Sequence, residues 1–107
     1  MLEIWYNIGM PEEIQKITEK ILPLLKQAGV LRSSLFGSIA RGEAKPDSDI
    51  DILVELPRGK DLFDLIDLRE KLSQALGKKV DIGTFNSVKP VLQDRIFKEQ
   101  VKIYERQ

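Results

Sequence analysis

Leu35-Phe36-Gly37-Ser38-Ile39-Ala40-Arg41-Gly42-Glu43-Ala44-Lys45-Pro46-Asp47-Ser48-Asp49-Ile50-Asp51-Ile52-Leu53-Val54 is the stretch on which the fold turns. An apolar run from residue 30 ends at Gly37, residues 38–43 suit a short helical turn, and Lys45-Pro46-Asp47-Ser48 reads as a loop. From 49 to 56 the pattern alternates, with Ile50, Ile52 and Val54 on one face and Asp49, Asp51, Leu53 and Glu55 on the other. The spacing therefore predicts strand, turn, loop, strand. Asp49 and Asp51 leave one strand face with Cα atoms ~6–7 Å apart, so their charges repel unless solvent or a cation offsets them.

Outward from this stretch, residues 11–28 predict an amphipathic helix carrying Ile14, Ile17, Ile21, Leu24, Leu25 and Ala28 inward. Pro11 suits its first turn, Gly29 its end, and Pro23 predicts a kink or local break. Residues 1–10, with Trp5 and Tyr6, show no period and read as an arm or extension before a domain spanning 11–107. After the turn Pro57-Arg58-Gly59-Lys60, Asp61 caps a second helix that Gly77 closes. Its expected inward residues are Leu62, Phe63, Leu65, Ile66, Leu72, Ala75 and Leu76. A short strand over 79–83, a third helix from a Ser87 cap through Glu99, and a strand over 101–104 complete the pattern. The fold class is α+β, a small sheet layered with helices.

The composition excludes more than it proposes. With 107 residues the chain fits one domain, and with no Cys and no His it lacks disulfides, thiolate or imidazole metal sites, and Ser–His–Asp chemistry. No stretch approaches the ~20 apolar residues of a membrane span, Glu3 sits where a signal peptide favours positive charge, and a cytoplasmic location is expected. Seventeen basic residues balance seventeen acidic ones, which disfavours a grip on nucleic acid. Chemistry is left to carboxylates, hydroxyls, Lys, Arg or a hard metal ion.

Three features meet that requirement together, although each alone has an ordinary explanation. Asp-x-Asp is usually a strand showing its polar face to water, yet the pair suits Mg²⁺, which takes carboxylate and phosphate oxygens. Asp81, between Val80 and Ile82, can project beside the pair from a later strand, as in a two-metal phosphoryl-transfer site. Gly37-Ser38 lets backbone approach a phosphate and offers a hydroxyl, and Arg41, three residues on, can reach the same anion. Lys45, Arg58 and Lys60 read as solvated turn residues rather than phosphate contacts.

The combination closely resembles the signature of the minimal nucleotidyltransferases, the smallest members of the DNA polymerase β-like superfamily. The resemblance runs over roughly residues 11–105, through Gly-Ser-x-Ala-Arg-Gly, Ser-Asp-x-Asp, Val80-Asp81-Ile82 and Tyr104-Glu105. It implies the polymerase β-type fold, a mixed sheet covered by helices, and transfer of a nucleoside monophosphate from a triphosphate such as ATP onto a hydroxyl. By similarity, Asp49, Asp51 and Asp81 would be catalytic and bind Mg²⁺, two ions in all. Gly37, Ser38 and Arg41 would bind the nucleotide. The resemblance further implies an antitoxin whose partner is an all-helical HEPN protein, modified on a hydroxyl. The alternative is an antitoxin that neutralises by contact without catalysis. So small a sheet also suggests a homodimer or hetero-oligomer.

Overall fold

The structure, a computed structural model, describes residues 10–106; the expected arm falls outside them except for Met10. Helix α1, Glu12–Gln27, buries Ile14, Ile17, Ile21 and Leu25 at the predicted spacing. It runs through Pro23 without the expected break, because Pro23 lies on the exposed side, where water can satisfy the carbonyl that loses its donor. Strand β1, Arg32–Phe36, begins two residues later than expected and leads into α2, a single turn at Gly37–Ala40. Strand β2 spans Ile50–Glu55 with strict buried and half-buried alternation.

Helix α3, Leu62–Leu76, starts at the predicted Asp61 cap, which forms a reciprocal capping box with Asp64. It stops at Gly77, whose φ of 64° is the left-handed conformation that ends a helix. Its inward face differs from the expected one. Leu68 and Leu72 are its buried residues, whereas Leu62, Phe63, Ile66 and Ala75 are exposed, Phe63 at 79%. The first turn borders an open cleft, with Leu62 and Leu65 across from Ile82 and Phe85, so its apolar side chains are left largely uncovered. Strand β3 is Val80–Thr84. The expected Ser87 cap is also corrected: Phe85–Ser87 forms a 3₁₀ turn in which the Ser87 hydroxyl donates to the Thr84 carbonyl. Helix α4, Pro90–Glu99, starts after Lys89 and buries no residue. Strand β4 is Val101–Glu105.

The sheet order is β3-β2-β1-β4, mixed as the resemblance implies. β1 pairs antiparallel with β2 and β4, while β2 and β3 run parallel with α3 as the connection. One sheet face carries Leu35, Ile50, Ile52, Val54 and Val80 into a core shared with α1 and α3. Each such fully buried aliphatic side chain contributes roughly 1.5–3 kcal/mol. By alternation, the opposite face carries Phe36, Asp51, Leu53 and Asp81.

Candidate active site

The register decides which acids meet. Asp51 lies opposite Asp81 in the parallel β2–β3 pair, so both side chains leave the same face from adjacent strands. Asp49 immediately precedes β2, and alternation past the buried Ile50 returns it to that face. Asp51 is half-buried, while Asp49 and Asp81 are exposed. Burial pushes the Asp51 carboxyl above its ordinary value, the negative charges of Asp81 and Asp49 push it further, and the Arg41 guanidinium opposes them. All three acids thus share one electrostatic environment.

They are neighbours without closing around a point. Among the described residues no three acidic side chains are gathered tightly enough to hold an ion as they stand. Asp49 is turned toward Lys79, with its Oδ2 3.9 Å from Nζ. The donor chemistry nonetheless suits a hard divalent cation: carboxylate oxygens on adjacent strands, mutually repelling, with Asp51 half-buried. A cation is what would lower that repulsion.

Gly37 completes the geometry. Phe36 pairs with Asp51 across β1–β2, so Gly37 turns off the strand beside that carboxylate. Its φ of 66° favours glycine, and a Cβ added there would collide with Asp51 Oδ2. The backbone therefore passes against the acid at the one place a side chain would block. Ser38 follows; its hydroxyl bonds no described residue, and its carbonyl accepts from the Glu43 amide at 2.8 Å. Arg41, at the end of α2, is less free than its sequence position suggests. Its Nε donates to Glu43 Oε2 at 3.3 Å, and its Nη1 stands 3.6 Å from Glu99 Oε2.

The structure brings two further groups to this face that spacing alone did not single out. Phe85 is buried with its ring edge-on to Phe36, centroids 6.4 Å apart, and lies 4.1 Å under the Arg32 guanidinium, which pairs with Glu55 at 2.7 Å. This cluster covers the sheet beyond the acids. Glu99 is the other, brought from the end of α4 across the fold. Neither carries a local motif; each becomes visible only when the strand order is known. A cleft of about 560 Å³ lies at the opposite ends of β2 and β3, between Leu62, Leu65, Ile82 and Phe85, away from the acids.

Residues 19–107 match the family model described as polymerase beta, nucleotidyltransferase. The chain belongs to that nucleotidyltransferase family. A Methanocaldococcus jannaschii protein named for protein adenylyltransferase activity is 52% identical over 90 residues, 84% of this chain and 97% of that one. The protein adenylyltransferase MntA of Thermococcus cleftensis is 39% identical over 93 residues, 86% of this chain and 94% of the relative. Among solved structures, a chain of the complex between a tri-AMPylated Shewanella oneidensis HEPN toxin and its MNT antitoxin superposes with a TM-score of 0.67. It is 27% identical, with 87% of this chain and 73% of that chain covered. The nucleotidyltransferase thus has the fold and family that its Gly-Ser and Asp-x-Asp blocks implied.

Proposed function

We propose that this nucleotidyltransferase moves AMP from ATP onto a hydroxyl of a partner protein, the hydroxyl oxygen bonding the α-phosphorus as pyrophosphate leaves, and that the partner is a HEPN toxin which it thereby silences. The observation that carries the reading is the Asp51–Asp81 register beside the Gly37 turn, in a chain whose relatives are named protein adenylyltransferases. The AMPylated toxin held by a related antitoxin supports the choice of acceptor.

The roles follow from position. Gly37 offers backbone to the triphosphate without obstruction, Ser38 adds its unengaged hydroxyl, and Arg41 supplies positive charge. Asp49 and Asp51 would hold Mg²⁺, and Asp81 with Asp51 would hold a second ion. Bound there, the metal would supply charge neutralisation for the phosphates and a lower pKa for the acceptor hydroxyl. Asp81, exposed at the open side of the pair, orients that hydroxyl and accepts its proton. Positioning and electrostatics carry such a transfer, so a chain without Cys or His is adequate for it.

The test is incubation with α-labelled ATP, Mg²⁺ and the HEPN partner. Label should pass to the toxin, and Asp49→Asn should lower transfer by about 10²-fold or more while the complex still forms. Full neutralisation by the Asp49→Asn/Asp51→Asn protein, with no transfer, would sink the enzymatic reading in favour of neutralisation by contact.

A further inference from the structure

Arg41 lies in a chain of charges linking α2 to the end of α4. Glu43 accepts from its Nε at 3.3 Å, and Glu99 faces its Nη1 at 3.6 Å. The other carboxylate oxygen of Glu99 accepts from Arg95 Nε at 3.2 Å. The Arg41–Glu99 contact is the loosest of the three, an ion pair just beyond hydrogen-bonding distance, and Arg41 Nη2 has no partner among the described residues. Half-exposed pairs of this kind are held weakly.

We propose that Glu99 is a competing counter-ion at the nucleotide site: its carboxylate occupies Arg41 where a phosphate of the incoming triphosphate later binds, and is displaced by it. This rests on the reading of Arg41 as a triphosphate contact. The exchange leaves no charge stranded. Arg41 keeps Glu43 through Nε while its Nη edge turns to phosphate, which the guanidinium can grip in two places. Glu99 keeps Arg95, one helical turn earlier on α4. Among the described residues, displacement also removes one of two polar side-chain contacts tying this end of α4 to other elements, the other being the 2.8 Å bond from the Ser34 hydroxyl to Gln100, while the backbone pairing of β4 from Val101 onward stays. Since α4 buries no side chain, its hold on the domain is sensitive to such a loss.

The experiment is calorimetric titration of the full chain with a non-hydrolysable ATP analogue and Mg²⁺, with circular dichroism to confirm folding. Glu99→Gln should tighten binding by about two- to fivefold. Glu99→Asp keeps the charge but withdraws the carboxylate by a methylene, and should shift binding in the same direction. In an Arg41→Gln background, which itself binds more weakly, Glu99→Gln should change nothing. Unchanged or weaker binding in Glu99→Gln overturns the proposal. So does equal tightening with and without Arg41, since that would be bulk repulsion between Glu99 and the phosphates. Arg41→Gln binding as well as wild type also overturns it while leaving the transfer reaction standing. A wild-type chain that binds no nucleotide removes the transferase reading itself, and this inference with it.

Discussion

Gly37 and Asp51 are fitted to each other, and the fit sets what each can become. Gly37→Ala should cost about 1–2 kcal/mol from the left-handed backbone alone, beyond which the new Cβ must push Asp51 aside. Urea denaturation should show the loss, and nucleotide titration should show weaker binding; a variant matching wild type in both would mean the turn relaxes freely. Asp51 carries a pH signature as well. Its folded value is raised above the ordinary 3.8, so the folded chain holds this proton more tightly than the unfolded chain does. The associated stability is fully present below the unfolded value and is lost as pH rises through the folded value. At pH 7 the ionised group is therefore a cost. Asp51→Asn should raise stability there, read as a higher melting temperature, with the gain fading as pH falls toward the ordinary value of 3.8. An unchanged or lower melting temperature at pH 7 would contradict this, even with activity abolished.

Helices α3 and α4 show how far periodicity reaches. The cap at Asp61, the stop at Gly77 and the alternation of β2 follow from local chemistry, and all three were legible residue by residue. Which side of a helix is covered depends on what lies beneath it. Leu62, Phe63 and Ile66 repeat with helical spacing but stand in solvent, while Leu68 meets the core. Leu72→Ala should cost about 2–5 kcal/mol, and Phe63→Ala less than about 0.5 kcal/mol, as for a surface position. Comparable losses for the two in denaturant titrations would mean that α3 is rotated from the orientation described. Asp61→Ala should cost about 1 kcal/mol by removing the capping box. Helix α4 differs in kind, because nothing on it is buried and Val91 is 84% exposed. Its amides should exchange with solvent well before those of α1; equal protection would show that α4 is held more firmly than its contacts indicate.

Across the molecule, the candidate site is an alignment of segments far apart in sequence, and this is why only part of it could be read in advance. The Gly37-Ser38 and Asp49/Asp51 blocks sit within one run and announce themselves. Placing Asp81 beside Asp51 requires the parallel β2–β3 register, and placing Glu99 beside Arg41 requires the return of the chain through α4. Charge shows the same division between local and global. Residues 78–107 carry seven basic groups against four acidic ones, a surplus that could suggest a polyanion surface. In the fold, Arg95 pairs with Glu99, and Lys102 with Glu105. Lys79 faces Asp49 rather than an open basic groove. Affinity for a nucleic-acid backbone scales with the phosphates that free cations neutralise, and here three of the seven already face carboxylates. The expected outcome is that a fluorescent 20-nucleotide RNA shows no change in anisotropy with the chain up to about 100 μM at physiological salt, where typical non-specific binders already respond. Tight binding with a steep inverse dependence on salt would instead place a polynucleotide, rather than a protein hydroxyl, on the open side of Asp81.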